Sequence, residues 1–211
     1  MSTDKPLSSR VAWVTGSSRG LGRVMATHLC RLGARVAVHG TRPDSPRSFG
    51  EGESMEQVAR DVAAEAGGVA MPVWGDVTDE ATVKRMAGEM MARKQGRIIT
   101  IGSIAGCFGR DDGAIYSVAK AGVHEYTRCL AVQLRPYNVP VNCVAPGGTV
   151  TNRFLVIHDV DQKKLVEEGT LDRYGRPDEV ADVVAALASE AGRFISGQVI
   201  RVDGGSQCWP A

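Results

Sequence analysis

The sequence predicts an α/β fold, a single domain over residues 1–211 whose parallel sheet is doubly wound and sandwiched between helical layers. Short apolar runs alternate with longer amphipathic stretches along nearly the whole chain, the pattern of strand–helix–strand units. Glycine is in excess, 25 of 211 residues against a usual ~7%. Such an excess marks places where backbone turns tightly or approaches a ligand. There is no internal repeat and no linker long enough to separate domains, and a chain of this length buries roughly 70% of its unfolded surface without help from disulfides or metal.

In chain order, residues 1–9 (MSTDKPLSS) read as a polar arm and not as a secretory signal. The short apolar runs give strands at 11–15, 36–39, 69–74, 97–101, 139–144 and 199–202. The amphipathic stretches between them give helices at 20–32, 55–66, 79–94, 114–137, 161–168 and 178–188. Pro177 stands at the start of the last helix, where its missing N–H is tolerated. Residues 43–54, rich in Pro, Ser and Gly, read as a surface loop, and residues 152–173 as a segment covering a substrate, with Phe154, Leu155, Val156 and Ile157 as an apolar wall.

Composition excludes several roles. Lys+Arg total 25 and Asp+Glu 24, a formal net charge of +1, so no whole-molecule field attracts nucleic acid or an anionic membrane. Apolar runs such as VVAALA at 183–188 fall far short of the ~20 residues that span a bilayer. Five cysteines without a C-x-x-C pair and four scattered histidines indicate neither a disulfide framework nor a metal site. They fit a reducing compartment, the cytoplasm. Cys107 reads as a small packed apolar residue.

After the first strand comes Thr15-Gly16-Ser17-Ser18-Arg19-Gly20-Leu21-Gly22. Gly16 permits a sharp exit from the strand, Gly20 lets backbone approach a pyrophosphate, and Gly22 lets the following helix pack closely. The helix N-terminus offers unpaired N–H groups and partial positive charge to the anion. An NAD site would place an acid at the end of the second strand. Here the stretch is Val38-His39-Gly40-Thr41-Arg42, and the first acid, Asp44, lies beyond Pro43. Arg42 and Arg19 can instead pair with a 2′-phosphate, since guanidinium matches phosphate oxygens in a fork. Asp76, in Gly75-Asp76-Val77, is placed for the adenine edge, or for a turn or helix cap.

Tyr116 and Lys120 are four apart on an expected helix and share one face. Ser103 follows the apolar strand 97–101, at the carboxyl end of the sheet where open α/β folds bind ligands. Ser103 and Tyr116 supply two hydroxyl donors, which can stabilise negative charge growing on a bound oxygen. A phenol is a poor acid or base at neutral pH unless nearby positive charge, here Lys120, favours phenolate.

With these residues the chain resembles the short-chain dehydrogenase/reductase family, and within it the 3-oxoacyl-carrier-protein reductases. The resemblance runs in order through TGSSRGLG, Asp76-Val77, Ser103, the YSVAK run at Tyr116, VNCVAPG, GRP and GQVIRVDGG. It implies a Rossmann-type fold and an NADPH-dependent oxidoreductase with catalytic Ser103, Tyr116 and Lys120, interconverting a small-molecule carbonyl and an alcohol. NADP(H) would be held by Gly16, Ser18, Arg19, Gly20, Leu21, Gly22, Thr41, Arg42, Asp76 and Val77. By resemblance, Lys120 and Tyr116 would add contacts, and Pro146, Gly147, Thr149 and Thr151 would lie by the nicotinamide and diphosphate. Family members are commonly homodimers or homotetramers.

The sequence departs from the family between Asp76 and Ser103. Members carry there another strand ending in Asn-Asn-Ala-Gly and a helix with a catalytic asparagine, a unit on the order of 30 residues or more. Two expectations follow: a functional parent protein that carries this unit, or a nucleotide-binding or interaction protein whose catalytic centre is broken. A crossover through 79–94 could also bring the 97–101 strand beside the first strand.

Overall fold

The computed structural model describes residues 5–79, 88–109, 113–157, 159–166 and 169–208. They group into two compact units, Met1–Arg85 with Thr151–Arg153, and Met86–Val150 with Phe154–Ala211. The α/β class and the parallel strands are as the sequence predicts.

In the first unit, strands β1 (Val11–Val14), β2 (Arg35–Gly40) and β3 (Val69–Trp74) pair in that order, all parallel. Helix α1 (Gly20–Arg31) links β1 to β2, and α2 (Met55–Ala66) precedes β3. Apolar residues recur at helical spacing in α2, so Met55, Val58, Ala59, Val62 and Ala66 form one buried face. Ser54 caps it, its Oγ accepting the Gln57 N–H at 3.2 Å, and Gly67 ends it in the left-handed region. This face and α1's Met25, Ala26, Leu29 and Cys30 belong to the same buried set as Val36 and Val38 of the central strand. Each buried valine contributes about 1.5–3 kcal/mol as an upper estimate. The expected polar arm is tied down where it is described: Leu7 is buried and its N–H bonds to the Leu32 carbonyl at 3.0 Å.

In the second unit, β4 (Ile98–Ile101), β5 (Val141–Pro146) and β6 (Val199–Val202) pair in order, again parallel. Every residue of β5 is buried, as a strand with neighbours on both edges and covered faces requires. Its polar member, Asn142, is satisfied: Nδ2 donates to the Ile195 carbonyl at 2.7 Å and Oδ1 accepts from the Gln198 N–H at 3.1 Å. Helix α3, described over residues 88–93, supplies Met90 and Met91 to a cluster with Ile98, Leu130, Ala131, Leu134, Val139 and Val141. Helix α4 (Ala114–Leu134) precedes β5 and is followed by a 3-10 turn, Arg135–Tyr137, where Pro136 cannot continue the α-helix. Helix α5 (Asn152–Ile157), whose Asn152 and Arg153 group with the first unit, and helix α6 (Pro177–Ala188) follow β5 in the chain.

Within the first unit β1 pairs with β2, and within the second β4 pairs with β5. Several expectations are corrected. The expected helix at 161–168 is a single 3-10 turn, Gln162–Lys164; the Tyr174 N–H takes the Lys164 carbonyl at 3.1 Å, the group a longer helix would use itself. Its residues 167–168 lie outside the described residues, as do 80–87 of the expected helix 79–94. The loop 43–54 contains a 3-10 turn, Ser45–Phe49.

Candidate active site

The glycine run after β1 forms a tight loop in the first unit. Gly16 and Gly20 have φ of +65° and +53°, a region that side chains rarely adopt. Gly22 packs on Gly16 so closely that a Cβ would stand 2.5 Å from its carbonyl oxygen. Around Gly20, by contrast, a Cβ would meet nothing within 4 Å. Helix α1 starts without an acid in its first turn and without a side-chain cap. The Gly20 N–H instead donates to the Glu51 carboxylate, 2.9 Å from Oε2. The Gly20 N–H thus takes a carboxylate oxygen, the kind of acceptor that the phosphate of a dinucleotide would also offer.

Two residues that sequence reasoning passed over hold this loop. The buried Ser17 hydroxyl donates to the Val14 carbonyl at 2.6 Å and accepts the His39 N–H at 2.8 Å. His39 is also buried, stands edge-on to Trp13 at 5.4 Å, and its Nδ1 accepts the Gly16 N–H at 3.3 Å. Burial pushes its pKa below the ordinary value, with a hydrogen bond to the Gly75 carbonyl opposing in part.

Arg19 and Arg42 converge on one turn. Arg19 Nη1 donates to the Ser45 carbonyl at 3.0 Å, and the Arg42 N–H donates to Ser45 Oγ at 2.9 Å. The Arg42 guanidinium is exposed and lies 3.6 Å from Asp44. Thr41 is exposed beside it, and Ser18 is buried within the glycine loop. Asp76 closes a turn, its Oδ1 accepting from Thr78 N–H at 2.9 Å and Thr78 Oγ1 at 2.8 Å. These bonds hold its carboxyl below the usual range. Val77 is exposed.

The second unit carries Ser103, Tyr116 and Lys120. Two links fasten α4 to β4: Thr127 Oγ1 lies 2.7 Å from Thr100 Oγ1, and Lys120 Nζ donates to the Ile101 carbonyl at 2.9 Å. Lys120 Nζ also stands 5.7 Å from the ring centre of Tyr116, as their four-residue spacing predicts. Tyr116 is exposed. Ser103 caps the 3-10 turn Ile104–Gly106, its Oγ accepting the Ala105 N–H at 3.2 Å. That turn lies on α4: a Cβ on Gly106 would stand 2.7 Å from the Ala121 nitrogen. Cys107, expected to be packed, is exposed at the end of the turn, with Sγ 3.9 Å from Nδ1 of buried His124.

After β5, the Gly147 N–H donates to the Val202 carbonyl at 2.9 Å, and Thr149 Oγ1 donates to the Gly147 carbonyl at 3.1 Å. Thr149 bridges to Gly175 in parallel. The segment is anchored by Arg173, whose guanidinium donates through both terminal nitrogens to Glu179, while the Arg176 N–H donates to Glu179 Oε2 at 2.7 Å. This holds the Glu179 carboxyl down at about 2. Phe154 of the expected apolar wall packs edge-on against Tyr174 at 5.0 Å. Pro146 closes β5, and Thr151 belongs to the first unit.

Comparison with known proteins matches residues 10–89 to the short chain dehydrogenase family and residues 85–207 to the family described as enoyl-(acyl carrier protein) reductase. The cyclohexanol dehydrogenase of Rhodococcus sp. (strain TK6) is 30% identical over 266 aligned positions, covering 97% of this chain and 98% of that protein. A 3-oxoacyl-[acyl-carrier-protein] reductase of Vibrio cholerae is 32% identical over 238 positions, covering 94% and 98%. Among solved structures, a short-chain type dehydrogenase/reductase from Mycobacterium marinum superposes with a TM-score of 0.78 at 26% identity, over 98% of each chain. With the glycine loop, the Tyr116–Lys120 pair and the parallel α/β architecture, these matches identify the chain as a Rossmann-type oxidoreductase of the short-chain dehydrogenase/reductase family.

Proposed function

We propose that the chain is an NADPH-dependent reductase of small carbonyl compounds, ketones or 3-oxoacyl thioesters, which it interconverts with secondary alcohols. The observation that carries this reading is the pairing of Tyr116 with Lys120 on α4, fastened to the strand that leads into Ser103. When bound, the nicotinamide supplies or takes the hydride. The chain's own groups do the rest: Ser103 and Tyr116 donate hydrogen bonds to the substrate oxygen, and Tyr116 gives up its phenolic proton as that oxygen becomes a hydroxyl. The Lys120 ammonium stabilises the phenolate that remains.

The anion-accepting Gly20 N–H supports the pyrophosphate assignment, with Gly16, Ser18, Arg19, Leu21 and Gly22 as neighbours. The Arg19 guanidinium at the Ser45 carbonyl and the exposed Arg42 guanidinium beside Asp44 support a 2′-phosphate and hence preference for NADPH. The reductases and the alcohol dehydrogenase among the relatives support the carbonyl–alcohol chemistry. Tyr116→Phe tests the mechanism: NADPH oxidation with small ketones and acyl thioesters should fall nearly to zero while NADPH binding is retained. Undiminished turnover at saturating substrate would overturn it.

We further propose that the functional parent carries an additional strand–helix unit between Asp76 and Ser103. Alignment with the Vibrio cholerae reductase spans 238 positions but takes only 94% of this 211-residue chain, which leaves on the order of 40 positions filled by the relative alone, the size of a strand and a crossover helix.

A further inference from the structure

We propose that Glu51 is a built-in occupant of the phosphate site, an internal anion that a dinucleotide must displace before it can bind. The inference rests on the nucleotide-binding reading above and adds a regulatory element to that site. The contact is direct: Glu51 Oε2 accepts the Gly20 N–H at 2.9 Å, the first amide of α1 and the group assigned to the pyrophosphate. An amide has one hydrogen, so carboxylate and phosphate cannot both take it. Two anions at one helix end also repel.

The loop is shaped to present this side chain. Glu51 lies between Gly50 and Gly52, whose φ values are +66° and +151°, so both flanking positions adopt conformations that favour glycine. Its backbone is held from both sides: the N–H donates to the Pro46 carbonyl at 3.3 Å, and the carbonyl accepts from Arg23 Nη1 at 3.3 Å. Arg23 is braced by Asp61 and Glu65 of α2 at 3.3 and 3.2 Å. The same loop supplies Ser45, to which Arg19 and Arg42 are bonded. Withdrawal of the loop thus uncovers the Gly20 amide and frees the Arg19 guanidinium from the Ser45 carbonyl together.

Two states follow, with Glu51 on the amide or off it, and nucleotide binds only the second. If the free chain spends about nine-tenths of its time in the first state, the apparent affinity is about tenfold weaker than the intrinsic one. The test uses the full chain and its Glu51→Ala and Glu51→Gln variants, with Glu53→Gln as a control. Glu53 lies in the same loop and pairs with Arg47 at 3.1 Å, so its substitution removes the same charge without touching Gly20. Calorimetric titration with ADP and with NADPH should show Glu51→Ala binding both about 3- to 10-fold more tightly than wild type, and Glu53→Gln unchanged. In the nucleotide-free protein, the Gly20 amide resonance should shift in both Glu51 variants and not in the control. Equal or weaker nucleotide affinity in folded Glu51→Ala overturns the proposal and leaves the nucleotide-binding reading intact. If neither wild type nor variants bind ADP or NADPH although the Gly20 resonance shifts, the nucleotide-binding reading fails and the proposal with it.

Discussion

Replacing Gly106 by alanine tests whether the close contact between the Ser103 turn and α4 sets the catalytic geometry. A Cβ there would lie 2.7 Å from the Ala121 nitrogen and 2.7 Å from the Lys120 carbonyl carbon, both backbone atoms, and 2.8 Å from His124 Cε1. Unstrained contacts need roughly 3.5 Å, so the turn or the helix must yield by about 0.8 Å. The contact falls within a 21-residue helix tied to β4, whereas the turn is three residues long. The turn therefore moves, and it takes Ser103 with it. Overpacking of this kind costs about 1–3 kcal/mol of stability, and a misplacement near 1 Å can cost about 10²-fold in rate. Steady-state kcat for ketone reduction, with thermal melting by circular dichroism, measures both. Gly122→Ala is the control: it lies in the same helix, a Cβ there meets nothing within 4 Å, and alanine should stabilise by up to about 1 kcal/mol. A Gly106→Ala enzyme with kcat within about twofold of wild type would refute the assignment of the turn's position to this contact.

Three other outcomes are expected. Arg42→Ala should weaken NADPH binding more than NADH binding in equilibrium titrations; equal losses would remove the 2′-phosphate assignment. Glu179→Gln should flatten the acid limb of the stability curve. The folded carboxyl titrates at about 2 against an ordinary 4.5, so its contribution is complete above about pH 5 and disappears as pH falls towards 2, and partial exposure limits it to about 1–2 kcal/mol. Urea unfolding at pH 7 and pH 3 should show the difference between wild type and variant shrinking at the lower pH. Intact-mass measurement of the natural protein should exceed the 22.4 kDa of this chain by about 3–4.5 kDa for a strand–helix unit of about 30–40 residues, and a mass of 22.4 kDa would defeat that reading.

What could be read from the sequence was what lies within one element or one turn. The glycine loop, the Tyr116–Lys120 face and the parallel strands are local patterns, and the structure forms each of them. The contacts that complete the loop join distant positions: Gly20 with Glu51 is a separation of 31 residues, and Gly16 with His39 one of 23. A single sequence carries no signal for such pairs, and Glu51 sits in a stretch whose Pro, Ser and Gly content suggests only a loop. The shortened helix at 162–164 has the same origin. The Tyr174 N–H, ten residues on, captures the Lys164 carbonyl, and tertiary contact overrides the amphipathic pattern. Asp76 shows the reverse case, where one residue type suits two roles and the structure displays the turn-forming one.

The His39 ring has a consequence for how the glycine loop responds to acidity. Since Nδ1 accepts the Gly16 N–H, the ring's proton is on Nε2, towards the Gly75 carbonyl, and protonating Nδ1 would turn an attraction into a clash of two donors. Burial opposes that protonation by holding the pKa below the ordinary 6.5. Well above that value the imidazole is neutral whether the chain is folded or not, and the loop keeps its shape. Below it the unfolded chain takes up protons that the folded one refuses, so stability declines through the acid range until the folded ring also titrates. A side chain that elsewhere serves as a pH sensor here acts as an insulator, keeping the loop's geometry constant through the neutral range.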